Sequence, residues 1–318
     1  MKRQLPLLKS LAPLGGFLLL VAIFAALTNG GSLASSNLQS LGNQVIVTAL
    51  VATGAVFVFG SGNLDMSMGA CVCVSAVLGA MAAIPTGSIW VAFAVCMGSA
   101  LVVGLLKGLF AAYVEVPIFI VTIVLGMVIT SGVLALMGDK ANLLLPSTEP
   151  TIPTFSFNQM TLVNVITLGS FFIVCLIIFT FGTLGKRVKI LGGSYVAARQ
   201  TGIQIKRTKI LAFLMGAIGI GLAAFVLLIR TRTVGANTGN TLGTDVLVAL
   251  VLGGMPLTGG PRSSIYAGLI GAASITVLTN GLTMMGLPLE VIQTCRGVVF
   301  VVVVFIASMS YRTKLLPR

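Results

Sequence analysis

Long apolar stretches without any charged residue make up most of the chain. A helix needs about 20 mainly apolar residues to cross a bilayer, and clusters of glycine, proline and polar residues divide the longest stretches. The pattern predicts ten membrane spans, at 11–29, 41–59, 66–84, 89–110, 117–137, 161–182, 208–230, 243–257, 264–281 and 290–309. We therefore expect an all-α membrane protein that forms a single transmembrane domain over 1–318.

Basic residues indicate the direction of these spans. If the chain starts inside, both termini are cytoplasmic, 15 Lys or Arg fall on the inner side, and only Lys140, Arg230 and Arg232 fall outside. Basic residues beside spans remain on the inner side of a bilayer, so this split supports the orientation. The first apolar run could also be a signal peptide cut near 33–36, but it is long enough to cross, and we expect it to be retained as a span.

The segment 186–207 is predicted to be a cytoplasmic loop between two spans. Seven Lys or Arg and no acid lie between Gly182 and Ile210. Within it, glycines flank small residues, which predicts a short helix along the membrane whose low-profile face is open to a partner. A solvated basic loop, or a loop that binds anionic lipid, is the alternative. The candidate docking residues are Gly192, Gly193, Ser194, Ala197, Ala198, Arg199, Thr201 and Gly202.

Two acids begin predicted spans. Asp65 follows Asn63 and precedes Ser67, and Asp245 begins the eighth span. Each carboxylate could cap the N-terminal end of its helix by accepting backbone N–H groups. Each could instead line or gate a pathway, because an acid at membrane depth is costly to keep without a role. Both interpretations remain open for both acids.

Arg296 lies inside the tenth predicted span. An unpaired arginine there costs about 2.5–3.5 kcal/mol, so it must snorkel, pair or face a polar cavity. Gln293, three residues earlier, shares its helix face. Asn280 ends the ninth predicted span, where a helix stop is favoured over a pathway role. We include Asn63, Asp65, Ser67, Asp245, Asn280, Gln293 and Arg296 as candidate pathway residues.

Composition excludes several classes of function. The chain is 57% hydrophobic and 8% charged, and its net charge of +13 comes from span ends without interleaved aromatic residues, which argues against nucleic-acid binding. The five cysteines lie in apolar runs and there is no histidine, so no metal site is expected. No phosphate-binding loop of the GxxxxGK[ST] type occurs, so ATP is not hydrolysed by that route in this chain.

The two halves of the chain show one related segment. LLKGLFAAYVEVPIF at the end of the fourth span and VLTNGLTMMGLPLEVI at the end of the ninth both place a Gly-Leu pair, a turn and a proline between two helices. Five spans in each half would make the two copies run in opposite directions, as in the inverted repeats of many transporters.

Three blocks of sequence resemble the permease subunits of bacterial ABC importers for ribose and other monosaccharides. The order and spacing of the blocks agree over roughly 40–310, and Lys107 stands where that family usually has asparagine. The matching positions are Gly62, Asp65, Ser67 and Gly69, then Gly192, Gly193, Ala197, Ala198, Thr201, Gly202 and Ile203, then Val251, Leu252, Gly253, Gly254, Gly259 and Gly260.

This resemblance implies an architecture like that of the vitamin B12 importer, a type II ABC importer, with two inverted five-helix halves. It also implies a second permease copy, identical or different, and a cytoplasmic ATPase that uses ATP and magnesium and contacts the loop 186–207. An extracytoplasmic binding protein would deliver a small polar solute, most simply a monosaccharide. No cofactor is expected on this chain, and the expected location is the bacterial inner membrane.

A secondary carrier driven by protons or sodium is the second hypothesis. Such carriers usually keep carboxylates or histidines inside the membrane as coupling sites. All six acids of this chain fall at predicted span ends or in loops, which favours the ATP-driven importer.

Overall fold

The computed structural model describes residues 5–114, 116–146 and 152–312, with side chains from 12 to 305 inside these ranges. Within them the chain is almost entirely helical. The elements in order are α1 Leu5–Leu27, a 3₁₀ turn Gly31–Leu33, α2 Ser35–Gly60, α3 Met68–Thr86, α4 Ile89–Tyr113, α5 Ile118–Met137, β1 Asn142–Leu144, α6 Phe157–Thr180, α7 Thr183–Gly193, α8 Tyr195–Gln200, α9 Ile205–Thr231, β2 Thr233–Gly235, α10 Leu242–Leu252, α11 Tyr266–Met284 and α12 Leu289–Arg312.

Helix α2 lies at the centre of the bundle and packs antiparallel to α9. Gly54 contacts the backbone of Met215 and Gly216, and Gly219 contacts the carbonyl of Leu50. The absence of side chains at these glycines allows the two helices to approach closely. Residues 46–60 of α2 are all buried, so the middle of this helix faces protein on every side.

Seven of the described helices are long and apolar enough to cross a membrane, namely α2, α3, α4, α5, α6, α9 and α11. The apolar 18-residue segments of these helices differ in burial, because 72% of that segment is buried in α2 and 17% in α5. A helix buried in protein and one that faces lipid are both apolar, which explains why hydropathy found both. The prediction of an all-α membrane protein is confirmed.

Helix α10 is shorter than the predicted eighth span. It contains 11 residues and ends at Leu252, whereas the span was expected over 243–257. At 1.5 Å per residue it covers about half of a bilayer's hydrocarbon core, which is roughly 30 Å thick. Residues 253–265 form turns, in which Gly254, Gly259 and Gly260 adopt positive φ angles of 85°, 68° and 92°. Apolar residues continue past Leu252 in the sequence, but these glycines end the helix.

The segment predicted as a loop at 186–207 contains more helix than expected. Helix α7 occupies Thr183–Gly193 and α9 begins at Ile205, so only the turns around α8 are irregular. Burial lowers the pKa of the Lys189 ammonium, and its Nζ lies 4.6 Å from the ring centroid of Phe179. The basic side chains therefore lie along a helix that packs against the bundle.

At the opposite end of the bundle, two short strands pair. Strand β1 is antiparallel to β2, with Leu143 opposite Val234. The Arg232 guanidinium donates to the carbonyl oxygens of Pro146, Ile152 and Pro153. These bonds connect the segment between α5 and α6 to the end of α9 at two places, residue 146 and residues 152–153.

Candidate functional site

Asp65 and Lys107 form an ion pair inside the bundle. The Lys107 Nζ lies 2.6 Å from Asp65 Oδ2, and the two side chains are 2% and 1% exposed. The same Nζ lies 3.1 Å from Ser67 Oγ and 3.4 Å from Cys71 Sγ. Asp65 Oδ1 accepts the backbone N–H and the hydroxyl of Ser67 at 2.9 and 2.7 Å. Every charged atom of this pair is thus satisfied by the chain itself.

This geometry changes the interpretation of Asp65. The residue at the N-cap position of α3 is Ser67, and it makes no side-chain cap bond. The Asp65 carboxylate binds the amide of Ser67, just before the helix, rather than amides near Met68. Asn63 lies apart from the pair and donates to Ser61 Oγ at 2.7 Å. Lys107, which the sequence places near the inner end of the fourth span, is the principal partner of Asp65.

Asp245 and Arg296 form a second, partly exposed ion pair. Arg296 Nη1 lies 2.9 Å from Asp245 Oδ1, and each side chain is 15% exposed. The Arg296 Nε and Nη2 donate to Thr279 Oγ1 at 3.0 and 2.7 Å, and Thr241 donates to Asp245 Oδ2 at 3.1 Å. One guanidinium therefore joins α10, α11 and α12 by hydrogen bonds to charged or hydroxyl groups.

A cavity of about 140 Å³ adjoins this second pair. It is lined by Gln44, Thr48, Asp245, Ile275, Thr276, Thr279 and Arg296. Of the three alternatives for Arg296, which were to snorkel, to pair or to face a polar cavity, the structure shows a pair with Asp245 beside a polar cavity. Asp245 lies in the first turn of α10, and its carboxylate bonds to the Arg296 guanidinium and the Thr241 hydroxyl rather than capping backbone N–H groups.

Two other predicted pathway residues lie elsewhere. Gln293 is exposed and does not line the cavity. Asn280 exchanges hydrogen bonds of 3.0 and 3.1 Å with Asn37. Its interpretation as a helix stop is wrong, because α11 continues to Met284. The amide pair instead joins the beginning of α2 to α11.

The predicted docking helix is present as α8, and its exposed face differs from the expected one. Ser194 Oγ accepts the N–H of Ala197 at 3.2 Å and so caps the helix. Ala198 is fully buried, so it packs against this chain and is not available to a partner. Tyr195 and Val196 are exposed to 57% and 63%, and Arg199 is exposed beside them.

Glycines of three chain segments meet beneath α8. The Gly260 amide donates to the Gly60 carbonyl at 3.0 Å, and a Cβ on Gly192 would overlap that same carbonyl. Gly62 lies against Gly192, and Gly193 against Pro261. The junction joins the end of α7 to the segment that leads from α2 to Asp65. Gly62 lies three residues before Asp65, so this junction adjoins the segment that carries the acid of the Asp65–Lys107 pair.

We expect Gly192→Ala to disrupt this junction, because the added methyl group meets backbone that cannot rotate away. Overpacking of this kind costs about 1–3 kcal/mol. Gly98→Ala in α4 is the matched control, because no atom lies within 4 Å of its added Cβ and alanine is preferred over glycine in a helix. Unfolding midpoints of the two purified variants check this expectation, and equal stability would contradict it.

A second, larger cavity lies at the end of the bundle that carries the two strands. It has a volume of about 550 Å³ and is lined by residues 134 and 137–142 and by residues 235–238. Lys140, which the sequence places on the outer side, belongs to this lining. None of the lining residues was predicted as a site, because a surface formed by two distant turns leaves no local pattern.

Comparison with known proteins identifies the family. The family model described as "Branched-chain amino acid transport system / permease component" matches residues 37–307. The chain is similar to the xylose transport system permease protein of Haemophilus influenzae, with 26% identity over 85% of this chain and 88% of that protein. It is also similar to the ribose import permease protein of Bacillus subtilis, with 27% identity over 94% and 92%.

The galactofuranose transporter permease protein of Escherichia coli is 25% identical over 85% of this chain and 79% of that protein. These relatives confirm the resemblance to permeases of the ribose and monosaccharide type that the glycine-rich motifs had indicated. With its seven apolar helices, the protein is a multi-pass protein of the bacterial inner membrane. The chain belongs to the family of branched-chain amino acid transport system permease components.

Proposed function

We propose that this protein is the transmembrane subunit of an ATP-driven importer and that it moves a monosaccharide delivered by an extracytoplasmic binding protein. The observation that carries the proposal is the match to sugar permeases along nearly the whole chain. The helix α8 and the glycine junction beneath it supply the surface on which a separate ATPase would act. The chain itself contains no GxxxxGK[ST] loop.

The proposed topology has ten spans with both termini in the cytoplasm. The seven apolar helices are joined by α1, α10 and α12, and α10 crosses together with the turns that follow it. The two halves then correspond as inverted copies. Support comes from nearly constant spacing: α2 ends at Gly60 and α9 at Thr231, and α5 begins at Ile118 and α12 at Leu289. The antiparallel packing of α2 and α9 is the relation that an inverted repeat requires.

In this orientation α7 and α8 face the cytoplasm and bind the ATPase. The exposed Tyr195 and Val196 supply apolar anchors, and Arg199 supplies charge. Aromatic and arginine side chains are enriched among the residues that dominate protein interfaces. Closure of the ATPase pair would press on α8, and the glycine junction would pass that movement to α2 and α3.

The importer would contain a second permease copy, identical or related. Among the seven apolar helices, α5 has the apolar 18-residue segment with the lowest buried share, 17%. Its Met127 and Val128 side chains are 66% and 62% exposed. Lipid covers such a surface in an isolated chain, and a second copy would cover part of it in the importer.

We expect the double variant Tyr195→Ala/Val196→Ser to bind the ATPase about 30-fold more weakly, since loss of a central anchor costs about 2 kcal/mol. Co-purification of the tagged ATPase and its stimulation by the reconstituted permease measure the effect. Leu144→Ser removes an equally exposed apolar side chain at the opposite end of the bundle and serves as control. ATPase binding unchanged in the double variant would contradict the proposed docking face.

The ion-coupled carrier is the second candidate, because two carboxylates lie within the bundle. Each of them already bonds to a basic side chain of the same chain, at 2.6 and 2.9 Å, so neither carboxylate stands unpaired as a site for a coupling ion. Purified protein in liposomes tests the two candidates. We expect uptake of ribose or xylose only with ATPase, ATP and binding protein, and accumulation driven by a proton or sodium gradient alone would exclude the importer.

A further inference from the structure

The 140 Å³ cavity lies among four helices in the half of the bundle away from α8. Gln44 and Thr48 lie near the middle of α2, whose C-terminal end at Gly60 contacts the glycine junction. Ile275, Thr276 and Thr279 lie in the second half of α11, and Arg296 lies near the beginning of α12. In the proposed topology this half faces the extracytoplasmic side, from which an imported solute arrives.

The cavity lining offers unused hydrogen-bonding groups of both kinds. A guanidinium carries five N–H donors, and three bonds from Arg296 are accounted for by Asp245 and Thr279. Gln44 donates its Nε2 to Ser40, which leaves its side-chain carbonyl as an acceptor. The Thr48 hydroxyl makes no hydrogen bond within the described residues. Donors and acceptors therefore face one small space together.

We propose that this cavity is a binding subsite for an uncharged, hydroxyl-rich solute, in which Arg296, Gln44 and Thr48 contact the solute's hydroxyl groups. A hydroxyl both donates and accepts, so it can bond to a guanidinium N–H and to an amide or threonine oxygen at once. The subsite rests on the proposed function, in that it names the chemical class of the imported solute and the residues that contact it.

The lining disfavours a branched-chain amino acid, the solute in the description of the matching family. Such a solute needs an apolar pocket for its side chain, and Ile275 is the single aliphatic residue in the lining. Its ammonium and carboxylate would also have to compete with the Asp245–Arg296 bond of 2.9 Å. A sugar hydroxyl can use the remaining guanidinium donors and leave this bond intact.

The size of the cavity indicates partial contact with the solute. Pockets that enclose whole ligands measure about 300–1,000 Å³, whereas this one is about 140 Å³. It therefore accepts one side of a monosaccharide. Weak, one-sided contact suits a passage, because a solute that is to move on must bind weakly enough to leave.

Protection of an engineered cysteine tests the subsite on the purified full chain, without ATPase or binding protein. Gln44→Cys, at an exposed position of the lining, is made in a Cys295→Ser background, where the other four native cysteines are buried. A small water-soluble methanethiosulfonate reagent should label Cys at this position. D-ribose or D-xylose at ten times its half-saturating concentration should slow the labelling about tenfold by occupancy. L-leucine at equal concentrations should not slow it.

Thr86→Cys in the same background is the matched control, since Thr86 is exposed at the end of α3 and lies outside the lining. Its labelling should be insensitive to every solute. A second readout is Thr48→Val, which keeps the shape but removes the hydroxyl, and which should raise the KM for ATP-driven sugar uptake. The subsite is supported if sugars protect the engineered cysteine and Thr48→Val also raises the KM for uptake.

The inference is overturned if position 44 does not label, if sugars give no protection, or if leucine protects as well as sugars do. Failure of the subsite and failure of the proposed function remain distinguishable. ATP-driven sugar uptake by the unmodified importer together with unprotected labelling removes only the subsite. Absence of that uptake in the complete importer removes the proposed function, whatever the labelling shows.

Discussion

Lys107→Met is expected to lower the free energy of unfolding by about 3–5 kcal/mol, the usual cost of removing one partner from a buried ion pair. The substitution leaves the Asp65 carboxylate 1% exposed without its cation. Ser67 would still donate two hydrogen bonds, but hydroxyl and amide dipoles do not replace a full charge at 2.6 Å. Thermal unfolding of the purified chain in micelles, followed by loss of monodispersity, measures the effect.

Two further variants separate the loss of the pair from the loss of a lysine. Lys186→Met removes an exposed lysine from α7 and should change stability by less than about 0.5 kcal/mol. Asp65→Asn/Lys107→Met removes both charges and should recover most of the loss, since a buried pair is often replaceable by neutral groups. If Lys107→Met is as stable as Lys186→Met, the buried pair does not hold α3 and α4 together.

The membrane spans were predictable because burial in lipid and burial in protein impose the same apolar composition. Predicted spans at 41–59 and 89–110 correspond to α2 Ser35–Gly60 and α4 Ile89–Tyr113. Hydropathy could not predict the early end of α10, because apolar residues continue into the glycine turns. It also missed α7, whose many basic residues resemble a solvated loop although Val188 and Leu191 are buried.

The candidate site was predictable only where one residue broke the apolar pattern. Arg296 was recognised because a cation inside a span needs a partner, and its partner Asp245 was already a candidate. The same argument applies to Lys107 in α4, but its position near the inner end of that span placed it among the inner basic residues, and no partner was sought for it. The pairing of Asp65 with Lys107 depends on the packing of α3 against α4, which sequence spacing does not contain.

Which face of α8 is exposed could not be predicted from the sequence, for a different reason. Small residues between glycines correctly indicated a short helix with one face that packs closely against a neighbouring surface. The sequence could not indicate whether that close contact lies within the chain or with a partner. Because Ala198 is fully buried, the small face packs inward and Tyr195 and Val196 remain exposed. A bulky substitution at 198 would therefore damage the permease itself, and variants at 195 and 196 are the better test of docking.

Arg296→Ala is expected to abolish most solute uptake while the chain still folds and binds its ATPase. Arg296 bonds to Asp245 and Thr279 and thereby holds α12 against α10 and α11. Hydrogen bonds to charged groups contribute about 1.5–3 kcal/mol each, so its removal frees α12 and leaves the carboxylate of Asp245 with Thr241 as its remaining partner among the described residues. Uptake by the reconstituted importer, normalised to co-purified ATPase, measures the effect.

The conservative variant distinguishes charge from geometry at this position. Arg296→Lys should recover part of the uptake, because an ammonium can reach Asp245 but lacks the planar fork that also binds Thr279. A double-mutant cycle with Asp245→Asn and Arg296→Gln should give a coupling energy of about 1 kcal/mol or more in unfolding, since the two side chains are in direct contact. Wild-type uptake in Arg296→Ala, together with additive effects in the cycle, would show that the pair neither fixes α12 nor serves the passage of solute.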